Sequence, residues 1–373
     1  MTIEVRHVPI GRLREWIEAV ETAFGEEVRE AHWADLQRIL EPERVLGAFD
    51  GERIVGGGAA FSFRLTVPGG RAVPAGGVTA VGVMPTHRRR GILTQLMRTQ
   101  LADIRRRGEP VAILWASEGS IYQRYGYGLA SANGSFEIDR ERTAFREATP
   151  RTGEMRLVSR DEAARLFPLV YEVVRRATSG FYERSSTWWE VEVLADPEYA
   201  RRGASRKFYA LHERDGRPAA YAIYRIRPDW GEGVTKSTLA VDELMAVDAA
   251  ATREMWRYVF GVDLIAWITV RLGPADHPLL LMLAEPRRFG LRVRDGLWLR
   301  ILDVPAALAG RGYAADGSIV LQVDDAFLPQ LGGRWRLSVA DGRASVETTE
   351  EAAELAVETT DLAATYLGGF TFG

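Results

Sequence analysis

The stretch VGVMPTHRRRGIL, residues 81–93, decides how this sequence is interpreted. Residues 78–83, which overlap the start of this stretch, form an apolar run that predicts a buried strand. After the three arginines and Gly91, apolar residues recur at three- and four-residue steps and predict a helix from about Arg89 to Arg107. The stripe consists of Leu93, Met97, Leu101 and Ile104. A strand therefore ends in a basic turn that leads directly into a helix.

This turn has the chemistry of an anion site. The first backbone N–H groups of a helix have no partner within the helix, and the positive end of the helix dipole lies there. Gly91 lets a ligand approach the backbone closely, and Arg88–Arg90 add charge and paired donors. The expected ligand is large and multiply charged, such as a pyrophosphate; the alternative is a solvated basic helix start. The chain has no Gly-x-x-x-x-Gly-Lys-Ser/Thr, so it is not a nucleotide-triphosphate P-loop protein.

The flanking segments predict a strand–helix–strand unit. The Asp50-Gly51 pair lies between two apolar runs and predicts a hairpin before the unit. After the helix, residues 111–115 predict a second buried strand. A short connection through a helix favours parallel pairing of residues 78–83 with residues 111–115 and a right-handed crossover. Residues 11–40 are predicted to be helical.

The same order of elements recurs about 155 residues later, which indicates a repeated architecture. A hairpin with its turn at Asp215-Gly216 precedes a strand over residues 238–247, and residues 264–270 form the partner strand. Asp248 is the predicted N-cap of the intervening helix. That helix begins with DAAATR, residues 248–253, instead of an arginine–glycine turn. The second unit is therefore expected to bind no cofactor.

From about Leu299 the pattern changes to a third unit of mixed helices and strands. Residues 304–308 predict a short helix, and the acidic, alanine-rich residues 350–355 predict another. The predicted strands cover residues 319–323, 335–339 and 344–347. The overall fold class is α/β, of a mixed α+β type.

Composition excludes several classes of protein. The chain has 373 residues, of which 46% are hydrophobic and 27% charged, as in globular proteins. It has no cysteine, which excludes disulfide frameworks, thiolate zinc sites and a cysteine nucleophile. Its five histidines are scattered, so no metal site is expected. The net charge of −3 gives no footprint for nucleic acid, and no stretch approaches the roughly 20 apolar residues of a membrane span. The prediction is a cytoplasmic protein.

Several blocks carry a resemblance to a known family. Val81-Gly82-Val83 followed by Arg88-x-x-Gly91 resembles the acetyl-coenzyme-A signature of GCN5-related N-acetyltransferases, Gln/Arg-x-x-Gly-x-Gly/Ala, with a departure at Leu93. Within that superfamily, the chain is similar to the Eis (enhanced intracellular survival) acetyltransferases of actinobacteria. The blocks that match are PTHRRRG (85–91), ASEGSIYQRYGYG (116–128), DGLWLR (295–300), VPAAL (304–308), RGY (311–313) and YLG (366–368). They occur in this order along nearly the whole chain.

The resemblance implies a fold and an activity. Two tandem GCN5-related acetyltransferase folds, residues 1–150 and 151–297, precede a sterol-carrier-protein-like domain, residues 298–373. The implied activity is acetyl-CoA-dependent N-acetylation of amines, multisite on aminoglycosides and also on protein lysine, by a homo-hexamer with no metal. The alternative is a non-catalytic oligomeric binding or scaffold protein that keeps the folds. The intact Arg88–Gly91 turn and Tyr122 favour the enzyme.

The same likeness assigns roles to residues. Three strand residues pair with the pantetheine arm, the turn and first helical residues hold the pyrophosphate, and two residues line the cofactor groove. In that order they are Val81, Gly82 and Val83; Arg88, Arg89, Arg90, Gly91, Ile92, Leu93 and Thr94; and Ser117 and Glu118. Tyr122 matches the general acid, because a tyrosine with a pKa near 10 keeps its proton at pH 7 and can donate it to a leaving thiolate. Tyr125 and Tyr127 are expected to be packing residues, which is also the alternative for Tyr122.

Two expectations concern the acceptor amine. Acidic and aromatic residues of the first helices are candidates for a pocket that binds a cationic substrate. They are Glu26, Glu27, Glu30, Asp35 and Trp33. The alternative is that they form a solvated helix face. In the Eis family the carboxylate of the last residue acts as the base, after a segment that includes a helix. Here only five residues follow Tyr366-Leu367-Gly368, so a truncated sterol-carrier domain is expected, with natural shortening as the alternative. No catalytic role is assigned to Gly373. If the domain is truncated, the chain is expected to acetylate slowly, because the base is missing.

Overall fold

The computed structural model describes residues 3–372, and all bounds below refer to them. The strands are β1 (Ile3–His7), β2 (Leu46–Asp50), β3 (Arg53–Thr66), β4 (Ala72–Val83), β5 (Val111–Trp115), β6 (Gly128–Leu129), β7 (Ala132–Asp139), β8 (Glu154–Leu157), β9 (Phe208–Arg214), β10 (Arg217–Arg227), β11 (Trp230–Gly231), β12 (Val234–Thr235), β13 (Thr238–Ala246), β14 (Trp267–Pro274), β15 (Arg292–Asp295), β16 (Leu297–Ile301), β17 (Gly317–Asp324), β18 (Gly333–Ala340), β19 (Arg343–Thr348) and β20 (Leu355–Glu358). The helices are α1 (Leu13–Phe24), α2 (Glu30–Ile39), α3 (Ile92–Arg106), α4 (Gly119–Tyr122), α5 (Arg160–Ala177), α6 (Ser186–Trp188), α7 (Glu198–Arg201), α8 (Ala249–Phe260), α9 (Leu279–Met282), α10 (Val304–Gly310) and α11 (Thr359–Thr365). None of these helices is both long enough and apolar enough to cross a membrane.

Backbone contacts divide the chain into two compact units that are not contiguous in sequence. The first contains the described residues up to Ser131, residues Thr178–Glu183 and the residues from Gly296 onward. The second contains Ala132–Ala177 and Arg184–Asp295. Each unit is built around a seven-stranded sheet, and the first unit also contains a four-stranded sheet.

The first unit places the arginine–glycine turn at one end of its larger sheet, whose strand order is β1-β2-β3-β4-β5-β16-β6. Strands β4 and β5 pair in parallel, Ala75 opposite Val111 and Gly77 opposite Ile113, with α3 between them in the chain. The predicted parallel unit is present, although β4 pairs with β5 through residues 75–77 rather than through the predicted residues 78–83. Leu96, Met97 and Leu101 of α3 are buried, so the apolar stripe holds the helix against the sheet.

Two of the predicted helices have different bounds. Residues 11–40 are not one helix, because Gly25 takes a left-handed conformation with φ 75° and ends α1 before α2 begins at Glu30. The helix expected from Arg89 begins at Ile92. Arg89 and Gly91 both have positive φ, 62° and 76°, which a right-handed helix cannot include.

The second unit repeats the arrangement, with strand order β15-β7-β14-β13-β10-β9-β8. Strands β13 and β14 pair in parallel, Thr238 opposite Trp267 and Val241 opposite Val270, with α8 between them in the chain. The expected repeat of strand, helix and parallel strand is therefore present. The second strand starts at Trp267 rather than Leu264, whose φ of 60° lies outside the extended region.

The C-terminal segment forms the four-stranded sheet β19-β18-β17-β20 with α10 and α11. The helix expected over residues 350–355 is wrong. Residues 355–358 form a strand in parallel with β17, Leu321 opposite Leu355 and Val323 opposite Val357, and α11 begins only at Thr359. Pairing with β17 satisfies the backbone and buries Val357, which outweighs the local helix preference of an alanine-rich segment.

Candidate active site

The site is centred where β4 and β5 separate. Their ladder covers only residues 75–77 and 111–113, although β4 continues to Val83 and β5 to Trp115. Within the described residues no ladder pair joins residues 78–83 to β5, so this edge of β4 keeps backbone donors and acceptors for a ligand. Because the strands are parallel, the residues that follow both of them meet at the same end of the sheet.

A cavity of about 600 Å³ occupies this opening. Every residue expected at the cofactor lines it except Arg90, and Tyr122 lines it as well. The lining residues are Ala23, Phe24, Val81, Gly82, Val83, His87, Arg88, Arg89, Gly91, Ile92, Leu93, Thr94, Ser117, Glu118, Ile121, Tyr122, Arg124 and Tyr125. Residues separated by up to about 40 positions in the predicted motifs thus line one cavity.

The turn before α3 has the backbone of an anion cradle. A short 3-10 turn, Pro85–His87, is followed by Arg88 in extended conformation and by the left-handed Arg89 and Gly91. Gly91 is the N-cap of α3, and no side chain among residues 3–372 caps the first N–H groups of that helix. A methyl group added at Gly91 would meet no atom within 4 Å, so glycine is favoured there by its φ of 76°. The uncapped donors fit the phosphate groups of a coenzyme A.

The three arginines of the turn have three different surroundings. Arg88 donates from Nη2 to the carbonyl oxygen of Ala23 at 2.7 Å and from Nε to that of Val83 at 3.3 Å. Arg89 lines the cavity and has no ion pair within the described part of the chain. Arg90 lies outside the cavity lining, with Nη1 3.8 Å from Oδ2 of Asp50. Arg89 is therefore the arginine most available to a ligand.

Tyr122 ends the short helix α4 at the wall of the cavity and is 7% exposed. Its ring packs edge-on against Tyr127, with ring centroids 5.7 Å apart. Burial, with a smaller contribution from Tyr125, raises the pKa of Tyr122 above its ordinary value. The hydroxyl therefore keeps its proton at neutral pH, as a general acid must.

The neighbouring tyrosines differ from each other. Tyr127 is fully buried, and its hydroxyl has no hydrogen-bond partner in the described structure. Tyr125 contacts Thr94 through hydroxyl oxygens 3.4 Å apart and packs against Phe327. Tyr127 is thus a packing residue as expected, whereas Tyr125 packs and also lines the cavity.

Some lining residues were not among the predicted site residues. His87, Ile121, Arg124 and Tyr125 lie inside the quoted blocks, so the spacing of those blocks was an available signal. Ala23 and Phe24 come from the end of α1, and no local pattern connects that helix to the turn.

The acidic residues proposed for an acceptor pocket do not line the cavity. Trp33 is a core residue that packs in one cluster with Trp16. Glu26, Glu27 and Glu30 are exposed, and Glu30 pairs with Arg14 at 2.7 Å. Burial raises the pKa of Glu21 on α1, although the nearby His32 opposes that shift. Gly373 lies outside the described residues.

The corresponding helix of the second unit begins differently. Asp248 caps α8 by accepting a hydrogen bond from the N–H of Ala251 at 2.8 Å, and it pairs with Arg214 at 2.6 Å. The hydrogen bond from Arg214, and after it the one from Ala251, hold the pKa of Asp248 below its usual value. A carboxylate of the chain thus occupies the anion position that remains open at α3.

Comparison with known proteins places these features in a family. The family model described as an acetyltransferase (GNAT) domain matches residues 4–130, a second acetyltransferase (GNAT) domain matches residues 180–301, and a sterol carrier protein domain matches residues 304–373. The chain is therefore a GCN5-related N-acetyltransferase with tandem acetyltransferase folds and a sterol-carrier-like domain.

Similar proteins place the chain in one family within this superfamily. An uncharacterized N-acetyltransferase of Streptomyces avermitilis is 40% identical over 373 residues, covering 99% of this chain and 90% of the relative. N-acetyltransferase Eis of Mycobacterium tuberculosis is 38% identical over 334 residues, covering 86% and 78%. The crystal structure of Eis1 from Mycobacterium abscessus superimposes with a TM-score of 0.82 at 32% identity, covering 99% and 90%. The chain belongs to the Eis family of N-acetyltransferases, and the acetyltransferase fold supports acetyl-CoA as the acetyl donor.

Proposed function

We propose that this enzyme transfers the acetyl group of acetyl-CoA to amines of polycationic acceptors of the aminoglycoside type. One observation carries the proposal: a single cavity combines the uncapped start of α3, the unpaired edge of β4 and the protonated hydroxyl of Tyr122. The first two features suit a long donor with a pyrophosphate, and the third suits a reaction that releases a thiolate.

The donor is assigned to most of the residues that the sequence suggested. Backbone groups of Val81, Gly82 and Val83 are available to amide groups of a pantetheine arm, since β5 does not pair with them. The N–H groups from Gly91 to Thr94 and the side chain of Arg89 suit the pyrophosphate. Ser117 and Glu118 also line the cavity. Arg90 is left out of this set, because its guanidinium lies near Asp50 instead.

The chemistry requires one nucleophile and one acid. When bound, acetyl-CoA supplies an acetyl group activated as a thioester. The acceptor nitrogen forms the new amide bond as the carbon–sulfur bond breaks, and one proton must pass from nitrogen to sulfur. Tyr122 holds a proton at Oη in the cavity wall, and its raised pKa prevents loss of that proton before transfer. We assign the general acid to Tyr122.

The charge beside the cavity supports a cationic acceptor. The end of α1 contributes Ala23 and Phe24 to the lining, and the exposed carboxylates of Glu26 and Glu27 follow Gly25, the next residue in the chain. Negative charge next to an apolar rim attracts polyamines and raises their local concentration. Protein lysine is a second acceptor class with the same ammonium chemistry.

The test is release of free thiol from acetyl-CoA, with product mass measured in parallel. An aminoglycoside should give thiol release well above the rate without acceptor, with one or more acetyl groups added per molecule. A lysine-containing peptide and a neutral amino alcohol are the comparison acceptors. Tyr122→Phe is the matched control, because it keeps the ring. Equal rates for all acceptors would contradict selection of polycations, and no thiol release with any amine would contradict the proposal.

We also propose that the enzyme assembles as a homo-hexamer. Several apolar side chains on adjoining segments of the second unit are exposed, namely Trp230, Val234, Leu264 and Trp267. An exposed apolar patch of this kind supports an oligomer interface. Native mass spectrometry tests this assembly. A monomer at micromolar concentration would contradict it.

A further inference from the structure

Asp50 lies at the last position of β2, beside the turn that precedes α3. Its Oδ2 atom is 3.2 Å from Nε2 of His87 and 3.8 Å from Nη1 of Arg90. Its other oxygen, Oδ1, is buried and has no hydrogen-bond partner in the described structure. One carboxylate oxygen therefore contacts the residues at both ends of the Arg88–Arg89 pair.

The contact with His87 fixes the ring. A carboxylate only accepts hydrogen bonds, so Nε2 of His87 donates to Asp50. In the neutral ring, Nδ1 then accepts from the hydroxyl of Thr86, which is 2.7 Å away. His87 also lines the cavity, and 12% of its side chain is exposed. The ring thus connects the cavity wall to the last residue of β2.

The backbone between the two contacts is strained. Arg89 adopts a φ of 62°, which L-residues other than glycine rarely take and which costs about 1 kcal/mol. Such a conformation persists only when the surroundings hold it. Asp50 contacts His87 on one side and Arg90 on the other, so one carboxylate links the two residues that flank the strained backbone.

We propose that Asp50 is a positioning residue for the acetyl donor: it holds His87 and Arg90 so that Arg89 and the N–H groups at the start of α3 face the pyrophosphate. This inference rests on the proposed function, which assigns the turn to the pyrophosphate. Asp50 itself does not line the cavity.

Charge alone predicts the opposite effect of removing this carboxylate. Asp50 is negative and lies close to a site for an anion, so its charge repels the ligand. Neutralising it would strengthen coenzyme A binding if Asp50 acted only through its charge. A positioning role predicts weaker binding, because the left-handed turn loses its support. The sign of the change therefore separates the two roles.

The experiment measures coenzyme A binding to Asp50→Asn by isothermal titration calorimetry. Asparagine keeps the shape and removes the charge-assisted contacts, so we expect the Kd to rise about tenfold. Glu52→Gln is the matched control, because it removes the same charge from a side chain that lies two residues after Asp50 and is almost fully exposed. It should leave the Kd within about twofold of wild type.

A second readout excludes a general loss of structure. Acetyl-pantetheine lacks the pyrophosphate, so kcat/KM with this donor should change little in Asp50→Asn while kcat/KM with acetyl-CoA falls. Equal losses with both donors, or a Kd for coenzyme A that is unchanged or lower, would overturn the inference.

Arg89→Ala, measured in parallel, tests the proposed function separately. If Arg89→Ala weakens coenzyme A binding and Asp50→Asn does not, only the positioning role is wrong. If Arg89→Ala has no effect, the assignment of the turn to the pyrophosphate fails first.

Discussion

Arg88 donates a hydrogen bond to the carbonyl oxygen of Ala23 across 2.7 Å, which ties the turn before α3 to the end of α1. The same guanidinium donates to the carbonyl oxygen of Val83, the last residue of β4. Arginine is suited to this bridge because its planar fork carries several donors in fixed directions. The signature suggests Arg88 as a phosphate ligand. In the structure its side chain connects the end of β4, which lines the cavity, to the end of α1, which precedes the acidic Glu26 and Glu27.

Replacing Arg88 by lysine should weaken the binding of both substrates. A lysine ammonium is a point charge without the fork, so it cannot keep both carbonyl contacts in the same geometry. We expect the KM for acetyl-CoA to rise about fivefold to tenfold and the KM for the amine to rise as well, with a smaller change in kcat. Steady-state kinetics with each substrate varied in turn measures this. Arg105→Lys, on the exposed side of α3, is the control, and a KM change for acetyl-CoA alone would contradict the bridging role.

Removing the hydroxyl of Tyr122 should slow the reaction without affecting donor binding. In Tyr122→Phe the ring still packs against Tyr127, but the acid is lost, so turnover should fall about 100-fold or more. Calorimetry should give an unchanged affinity for coenzyme A. Tyr127→Phe is the matched control, because it removes a buried hydroxyl that has no partner in the described structure. Wild-type turnover in Tyr122→Phe would make Tyr122 a packing residue.

The sequence predicted the parts of the site that are local in the chain. The turn from Pro85 to Gly91 and the segment from Ser117 to Tyr122 follow two parallel strands, and strand topology alone brings such segments together. The direction of each arginine was not predictable in this way. Arg88 and Arg90 turn toward Ala23 and Asp50, which lie far away in sequence, and their contacts depend on how α1 and β2 pack.

The same distinction applies to the fold. Residues Leu297–Ile301 form a strand that was not predicted from the sequence, and its pairing with β5 of the first sheet depends on residues far away in the chain. Residues 350–355 show the opposite failure, since an alanine-rich composition predicted a helix, whereas residues 350–354 are irregular and the strand that pairs with β17 begins at Leu355. Local preference is a weak energy term, and a ladder to a distant strand outweighs it.

Gly126, four residues after Tyr122, should tolerate no side chain. It has a φ of 81°, and an added Cβ would lie 2.2 Å from Nη1 of Arg300, which is fully buried and paired with Asp325. Gly126→Ala should lower the free energy of unfolding by about 3 kcal/mol or more, from backbone strain and overpacking together. Gly108→Ala is the matched control, since it has a similar φ of 77° but open space around the added carbon. It should cost about 1 to 2 kcal/mol in urea denaturation, and equal losses in the two variants would show that Arg300 yields easily.

His277 should make the second unit sensitive to acid. Its ring is 3% exposed and lies among Phe136, Trp256 and Phe289, while Nδ1 accepts a hydrogen bond from the N–H of Leu279. Burial lowers the pKa of His277 to about 4 from an ordinary value of 6.5, although Asp276 opposes the shift. The unfolded chain therefore takes up this proton at a higher pH than the folded chain.

The stabilising contribution of the neutral ring is complete above pH 6.5 and is lost progressively as the pH falls from 6.5 to about 4. The loss should reach about 3 kcal/mol at the lower end. Urea denaturation across this range measures it in wild type and in His277→Phe, which cannot titrate. The phenylalanine variant should be less stable at neutral pH, because Leu279 loses its acceptor, but its stability should fall less steeply toward pH 4. His7→Gln, at an exposed position, should keep the wild-type slope. If His277→Phe also keeps that slope, His277 is not the group that links folding to pH.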